Sequence, residues 1–229
     1  MNLEQIKSRL IVSCQAPSDS PLFDPVIIAK IAQACANQGA SAVRIDTPAH
    51  VLEVRKTLPN IPIIGLWKRH YAGCEVYITP CFSDAVAIAE AGADIIALDA
   101  TLRKRPQGEN LAQIISQIHQ KLGKLVMADV DSIESANSAF DAGADIIGTT
   151  LYGYTSETKH LSPPGYSLLK EMVARFPVPI LCEGGISTPE EAKKALDLGA
   201  YSVVVGTAIT GIDLKAKAFL TFPDIFLDK

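Results

Sequence analysis

The chain has 229 residues, of which 48% are hydrophobic, and its formal net charge is −4. This length fits one large domain or two small ones, and the apolar content allows a substantial buried core. Since no basic field dominates, the composition argues against a nucleic-acid-binding protein. No uninterrupted run of about 18 apolar residues occurs, and the N-terminus lacks a cationic start followed by an apolar core, so we expect neither a membrane span nor a signal peptide.

The cysteines indicate a protein with reduced thiols. There are five of them, an odd number, and no Cys-x-x-Cys pair occurs. Cys14 and Cys182 lie inside apolar runs, where cysteine behaves as a small hydrophobic residue. We therefore expect a cytoplasmic location. The remaining cysteines are Cys35, Cys74 and Cys81.

No metal or cofactor is expected from the sequence. The four histidines share no ligand spacing, and neither a phosphate-binding Gly-x-x-x-x-Gly-Lys-Ser/Thr loop nor another cofactor fingerprint occurs. His119 falls in the middle of a predicted helix, where we expect it to be a surface residue. The other histidines are His50, His70 and His160.

Apolar runs alternate with helical patterns along the chain. The predicted strands cover residues 9–15, 41–46, 61–68, 94–99, 124–129, 145–150, 180–183 and 201–207. The predicted helices cover residues 26–38, 47–58, 83–92, 110–122, 132–143, 166–175, 189–198 and 214–220. Longer loops cover residues 69–80, 100–109 and 151–165. Continuous apolar strands are typical of a parallel sheet covered by helices.

A repeated Gly-Ala pair supports a barrel. The pair ends a helix just before a strand at Gly39, Gly92, Gly143 and Gly199, at spacings of 53, 51 and 56 residues. Each interval spans two strand–helix units, so the repeat marks the quarters of an eightfold barrel. We therefore predict an α/β fold in which residues 1–229 form a single (βα)8 TIM barrel domain. A doubly wound sheet is the alternative, but no Gly-x-Gly-x-x-Gly follows the first strand.

Polar residues end the predicted strands, and in a TIM barrel these ends form the active site. The residues are Gln15, Arg44, Asp46, Lys68, Asp99, Asp129, Thr149, Thr150, Glu183, Gly206 and Thr207. Asp46 and Asp99 could equally be structural, as helix caps or partners in loop salt bridges. The basic cluster Arg103-Lys104-Arg105 is interpreted as a solvated loop.

Lys68 is the strongest single catalytic candidate. It ends a strand that carries Trp67, and Arg44 lies on the neighbouring strand. Positive charge and partial burial both lower the pKa of an ammonium group, toward use as a general base. Glu183 would face Lys68 across the barrel, so that the pair could remove and return a proton at one carbon. The alternative is a surface lysine that begins a loop.

Glycines after two adjacent strands predict a phosphate site. Gly184-Gly185 follow strand seven, and Gly206-Thr207 follow strand eight. In such barrels the backbone N–H groups and the N-terminus of a short helix at this place bind phosphate. Tight turns alone could also require these glycines.

A set of short segments, in order from about Gln15 to Thr210, resembles the N-acetylmannosamine-6-phosphate 2-epimerase family. The segments are CQA (14–16), AVRI (42–45), GLWK (65–68), EVYITP (75–80), DAT (99–101), MAD (127–129), GTTL (148–151), GYT (153–155) and EGGI (183–186). The resemblance implies a phosphate-binding TIM barrel and an isomerase of sialic acid breakdown. Its substrates would be N-acetylmannosamine 6-phosphate and N-acetylglucosamine 6-phosphate.

The resemblance also implies roles for individual residues. Lys68 matches the family's proton-abstracting lysine, and Glu183 matches its catalytic carboxylate. The residues implied to bind substrate are Gln15, Arg44, Asp129, Thr150, Gly184, Gly185, Gly206 and Thr207. Family members often carry an arginine shortly after the Gly-Thr-Ala-Ile-Thr run, where this chain has Gly211. Backbone donors, or a cation such as Arg103 or Arg105, would then bind the phosphate.

Epimerisation beside a carbonyl requires removal of the C2 proton, stabilisation of an enolate and return of a proton to the other face. Lys68 would take the proton, Glu183 would assist ring opening or reprotonation, and Arg44 and Gln15 would steady the enolate and the substrate oxygens. A Schiff base at Lys68 is the mechanistic alternative.

Two other functions remain open at this point. One is another phosphate-binding barrel enzyme that acts on a different sugar phosphate, and the other is a non-catalytic sugar-phosphate sensor. A sensor would require neither Lys68 nor Glu183. A homodimer is expected, and the C-terminal phenylalanines could form a patch that faces a partner or could pack onto their own barrel. They are Phe219, Phe222 and Phe226.

Overall fold

The computed structural model describes residues 2–221, and within this range eight parallel strands close into a barrel. The strands are β1 (Leu10–Cys14), β2 (Ala42–Asp46), β3 (Ile63–Leu66), β4 (Ile95–Asp99), β5 (Leu125–Asp129), β6 (Ile146–Gly148), β7 (Ile180–Glu183) and β8 (Ser202–Val205). Each strand pairs in parallel with the next, and β8 pairs with β1. The predicted TIM barrel is confirmed.

Helices follow the strands around the outside of the barrel. They are α1 (Pro25–Asn37), α2 (Pro48–Thr57), α3 (Phe82–Glu90), α4 (Leu111–Gln117), α5 (Ile133–Asp141), α6 (Tyr166–Arg175), α7 (Pro189–Asp197), α8 (Thr207–Thr210) and α9 (Ile212–Leu220). Polar side chains fix several of their starts. Asp24, for example, accepts the N–H groups of Val26 and Ile27 at 2.9 and 3.0 Å. No helix within residues 2–221 is long and apolar enough to cross a membrane.

The strands are mostly apolar because both of their faces are buried. On β1, Val12 and Cys14 pack outward in the layer between sheet and helices. Ile11, which precedes Val12, joins Ile64 and Leu181 in the separate cluster that fills the barrel interior. Successive side chains of a strand point to opposite faces, so the two clusters take alternate residues.

Four strands, β1, β3, β6 and β8, end one or two residues earlier than predicted. Lys68 lies beyond the end of β3, and Thr150 lies beyond the end of β6. These polar residues belong to the loops that form the rim of the barrel, where the inter-strand ladder has already ended. The structure also contains α8, which periodicity could not predict because it is a single turn of four residues.

The predicted start of α3 was wrong. The helix begins at Phe82 with Cys81 as its N-cap, and Ser83 and Asp84 lie inside its first turn. Asp84 accepts the main-chain N–H of Cys81 at 3.2 Å and pairs with Arg69 at 2.8 Å. The carboxylate therefore caps the helix from its third position rather than from the residue that precedes it.

Several residues expected at the surface are engaged in the fold. Arg103 pairs with buried Asp99 at 2.8 Å, and Arg105 is 5% exposed and donates to the carbonyl of Pro80. The interpretation of this cluster as a solvated loop was therefore wrong for both arginines. His119 was also expected at the surface, but its Nε2 lies 2.8 Å from a carboxylate oxygen of Asp145.

The C-terminal phenylalanines are described only in part. Phe219 on α9 is 75% exposed, so packing of this residue onto its own barrel is wrong. Phe222 and Phe226 lie outside the described residues.

Candidate active site

A cavity of about 990 Å³ opens at the carboxyl ends of the strands. It is lined by nearly all of the residues predicted for the site: Gln15, Arg44, Lys68, Thr150, Glu183, Gly184, Gly185, Gly206 and Thr207. Asp129 is fully buried beneath this lining and contacts the cavity residues from behind. The barrel topology therefore brings together residues that lie far apart in sequence.

Arg44 is the centre of a buried charge cluster at the bottom of the cavity. Its Nη1 and Nη2 donate to the two carboxylate oxygens of Asp129 at 2.9 and 2.6 Å, in bidentate geometry. Nη1 also donates to Glu183 Oε2 at 2.6 Å. The hydroxyl of Thr150 lies 2.6 Å from Asp129 Oδ1 and 3.1 Å from Glu183 Oε2. The cation thus fixes the orientation of both carboxylates.

The cluster controls the protonation of Glu183. Burial raises the pKa of this carboxyl to about 7, and the neighbouring charge of Asp129 acts in the same direction, whereas Arg44 opposes both. For Arg44 burial disfavours the charge, but Asp129 and Glu183 outweigh this effect and raise its pKa, so the guanidinium stays charged. Glu183 can therefore gain or lose a proton near neutral pH.

Lys68 lies in the wall of the same cavity, where the residue begins a loop and is exposed to the open cavity. Its Nζ donates to Gln15 Oε1 at 2.5 Å, and Gln15 Nε2 donates in turn to Ser13 Oγ at 2.8 Å. Desolvation by the surrounding protein lowers the pKa of the ammonium group; Asp46 opposes this shift, and the positive charge of Arg44 reinforces it. The direction is the one required of a lysine that acts as a base.

Lys68 and Glu183 line one cavity, but they do not form a direct ion pair with each other. The carboxylate of Glu183 is held by Arg44, and the ammonium of Lys68 is held by Gln15. Lys68 and Glu183 are therefore held by different partners, and the open cavity is available to a ligand.

The glycines after β7 adopt backbone conformations that other residues rarely adopt. Gly184 and Gly185 have φ values of +100° and +71°. A Cβ atom at Gly185 would lie 2.5 Å from Cβ of Pro163 and 2.9 Å from its carbonyl carbon. The main chain can therefore reach this part of the cavity only without a side chain at position 185.

Position 211 is also restricted to glycine in this structure. A Cβ atom at Gly211 would lie 2.7 Å from Cγ2 of Thr207 and 2.8 Å from its carbonyl oxygen. Arg103 and Arg105, the expected substitutes for an arginine here, are held by Asp99 and Pro80 away from the cavity lining. Neither arginine is placed to bind a ligand in the cavity.

Sequence reasoning missed Lys215, the cation that does line this end of the cavity. Lys215 lies on α9, and its Nζ donates to the main-chain carbonyl of Ala208 in α8. It follows Gly211 by one helical turn. Lysine and apolar residues alternate over residues 214–218, but this pattern does not show which face of the helix meets the cavity.

Two tyrosines in the lining were also missed. Burial, assisted by the charges of Asp129 and Asp99, raises the pKa of Tyr77 to about 12. Tyr154 lies close to Gly184: a Cβ atom added at Gly184 would lie 3.3 Å from the Tyr154 ring. Both tyrosines lie on loops, where apolar periodicity gives no information.

The two loops that carry these tyrosines meet above the site. Ser156 Oγ donates to Glu75 Oε2 at 3.0 Å, which links loop 151–165 to loop 69–80. Buried Asp131 accepts the hydroxyl of Thr155 at 2.8 Å and so anchors the first loop to the barrel. Arg69 lies over the ring of Trp67 at 4.6 Å and stabilises the second.

Among residues 2–221 the structure contains no group of three or more His, Cys, Asp or Glu side chains that could hold a metal ion. The five cysteines are free thiols.

A family model described as "Putative N-acetylmannosamine-6-phosphate epimerase" matches residues 28–222. A protein of Thermosynechococcus vestitus is 60% identical over 221 residues, which cover 96% of each chain. A protein of Synechococcus elongatus is 56% identical over 220 residues, which cover 96% of this chain and 95% of the relative. Both are named "Putative N-acetylmannosamine-6-phosphate 2-epimerase".

Solved structures give a matching result. The N-acetylmannosamine-6-phosphate 2-epimerase from Clostridium perfringens superposes with a TM-score of 0.91 at 44% identity, covering 95% of this chain and 94% of that one. Thiamine phosphate pyrophosphorylase from Pyrococcus furiosus superposes with a TM-score of 0.63 at 16% identity, covering 91% of this chain and 89% of that one, and supports the fold alone.

Proposed function

Because the chain belongs to the N-acetylmannosamine-6-phosphate epimerase family, we propose that it is an N-acylglucosamine-6-phosphate 2-epimerase. This isomerase interconverts N-acetylmannosamine 6-phosphate and N-acetylglucosamine 6-phosphate, in the breakdown of sialic acid. The observation that carries the proposal is one cavity lined both by Lys68, which is held by Gln15, and by Glu183, which is held by Arg44.

Lys68 removes the C2 proton of the open-chain sugar. Removal of that proton requires a neutral amine, and the desolvated wall of the cavity favours the neutral form. Gln15 holds the amine from one side at 2.5 Å. The electron pair of the broken C–H bond moves to the adjacent aldehyde carbon and oxygen, which gives an enolate.

Arg44 and Glu183 act on the other side of the substrate. The guanidinium stabilises the negative charge that develops on the enolate oxygen. Glu183, whose pKa is about 7, assists ring opening or returns a proton to the opposite face of C2. Asp129 contributes from behind by holding Arg44 in bidentate geometry, and Thr150 contacts both carboxylates.

The phosphate of the substrate binds between the ends of β7 and β8. Gly184 and Gly185 on one side, and Gly206 and Thr207 on the other, present main chain without bulky side chains to this part of the cavity. Lys215 supplies the positive charge. The ammonium exchanges its contact with the carbonyl of Ala208 for the more favourable phosphate dianion.

We also propose that the 229 residues form one domain, that the protein acts in the cytoplasm and that it forms a homodimer. The five free thiols suit a reducing compartment. The exposed apolar residues of α9, including Ile212, Leu214 and Phe219, suit a contact between copies. Sedimentation velocity of the full chain would give a species of about twice 24.5 kDa; a monomer would contradict the dimer.

The substrate assignment is tested by incubating the protein with a panel of sugar phosphates and following the products by proton NMR. Conversion of N-acetylmannosamine 6-phosphate to its C2 epimer is expected. Conversion of a different sugar phosphate in its place would favour another barrel enzyme, and binding without conversion would favour a sensor. If borohydride added during turnover trapped a Schiff base at Lys68, the proton-abstraction mechanism would be overturned.

A further inference from the structure

Asp46 lies beside Lys68 at the rim of the barrel. It is the last residue of β2, and the strand register places it opposite Leu66, the last residue of β3. Its Oδ1 accepts the main-chain N–H of Lys68 at 2.9 Å. On its other side Lys68 forms an isolated antiparallel bridge with Ile78. The main chain of Lys68 is therefore held from two directions just beyond the end of its strand.

The environment of Asp46 is unfavourable for a negative charge. The residue is 7% exposed, and burial raises the pKa of its carboxyl group. A neutral acceptor such as an asparagine amide would hold the N–H of Lys68 without this desolvation. The charge therefore suggests a second role besides the hydrogen bond.

Charged groups from three strands surround the Lys68 ammonium. Arg44 and Asp46 come from β2, Asp129 from β5 and Glu183 from β7. Asp129 and Glu183 are bound to Arg44, whereas Asp46 contacts the main chain of Lys68 itself and lines the same cavity. Its negative charge raises the pKa of the lysine.

Other titratable groups lie beside Asp46 and along the cavity. His50 on α2 faces Asp46, and burial lowers the pKa of its ring, so it adds no positive charge near neutral pH. Other titratable groups lie along the cavity lining, and these are His70, Tyr77, Tyr154, Asp213 and Lys215.

Extending the proposed function, on which this inference rests, we propose that Asp46 is a positioning residue for the reaction. Its carboxylate fixes the main chain of Lys68 and supplies the negative charge that faces the lysine side chain. Without that charge, the surrounding cavity wall and Arg44 would lower the pKa of Lys68 further. The neutral amine would then be a weaker base, and C2 proton abstraction would slow at the pH where Lys68 is fully neutral. The structural role expected for Asp46 is then only part of its function.

A direct test needs no enzymatic activity. Lysine labelled with ¹³C at Cε reports the titration of Lys68 by NMR, and the Lys68→Arg variant assigns the signal. In Asp46→Asn the amide oxygen can still accept the N–H, and the pKa of Lys68 should fall by about one unit or more. An unchanged pKa would overturn the proposal.

Asp99→Asn is the matched control. Asp99 is also a buried aspartate at the end of a strand, but its partner is Arg103 at 2.8 Å. The pKa of Lys68 should stay at the wild-type value in this variant. An equal fall in both variants would mean that the effect is not specific to Asp46.

Steady-state kinetics distinguish the effect of the Asp46 charge from the effect of the position of its carboxylate oxygens. The rising limb of the pH profile of kcat/KM should move to lower pH in Asp46→Asn, and kcat should fall. Asp46→Glu keeps the charge but displaces the oxygens, so it should keep the wild-type limb with a reduced kcat. If Asp46→Asn does not fold, an Asp46→Glu enzyme with wild-type kcat would overturn the positioning role. A wild-type protein without epimerase activity would refute the proposed function, while the NMR titration would still decide the role of Asp46.

Discussion

Replacing Arg44 with methionine should destabilise the fold as well as stop the reaction. The guanidinium makes hydrogen bonds of 2.9 and 2.6 Å to Asp129 and of 2.6 Å to Glu183. The Arg44 side chain is 2% exposed, and those of Asp129 and Glu183 are 0% and 12% exposed. Methionine fills much of the same space without charge, so the two carboxylates would remain buried with no cation between them.

The size of the effect follows from this burial. Removing one partner of a buried ion pair costs about 3–5 kcal/mol. For a chain of this length, 1 kcal/mol lowers Tm by about 2–4 °C, so a fall of roughly 6–20 °C is expected. Lys193→Met is the matched control, because its pair with Asp197 is 74% and 61% exposed. Such a surface pair contributes at most about 1 kcal/mol.

Urea denaturation at several pH values is the assay. In Arg44→Met the buried carboxylates of Asp129 and Glu183 would repel each other with no cation between them, and this penalty applies when they are ionised. The difference in the free energy of unfolding between wild type and variant should therefore shrink as the pH falls from about 8 to about 5. A loss at pH 8 no larger than that of Lys193→Met would refute the view that Arg44 neutralises this cluster.

Three further predictions concern the cavity and its supporting turn. Lys215→Met should raise KM for the sugar phosphate about tenfold with little change in kcat. Lys217→Met on the same helix should match wild type. If steady-state kinetics gave the same KM for both variants, a phosphate contact of Lys215 would be excluded. Gly211→Ala should lower stability by about 1–3 kcal/mol, because its Cβ would collide with Thr207, and an unchanged melting curve would contradict this. Because the folded-state pKa of Glu183 is raised from 4.5 to about 7, its stabilising contribution is full below 4.5 and is lost as the pH rises through 7. Glu183→Gln should flatten that part of the urea-midpoint profile, and an unaltered profile would argue against the raised pKa.

The barrel could be predicted because its physical signature is local. Parallel strands buried on both faces give continuous apolar runs, and the Gly-Ala pairs at Gly92 and Gly143 mark where helices end. Once the barrel was predicted, its topology placed the strand-end residues at one mouth. Gln15 and Glu183, which are 168 positions apart, could be assigned to one site for this reason.

The contacts within the site could not be predicted. The sequence predicts Arg44 as a site residue, but it does not show the partners of the guanidinium, because these depend on which side chains meet in space. Its pairing with Asp129 joins residues 85 positions apart. The position of Lys215 could not be predicted either. Its helix, α9, has no buried residues, so no apolar stripe indicates how the helix is oriented.

The assignment of Lys68 as the base is tested most directly by solvent exchange. Wild-type protein in deuterated water should incorporate one deuterium at C2 of both epimers of N-acetylhexosamine 6-phosphate, observed as loss of the H2 signal in proton NMR. Lys68→Ala should slow this exchange by about 10²–10⁴-fold, while Lys217→Met keeps the wild-type rate. Exchange at C2 near the wild-type rate in Lys68→Ala would contradict the account.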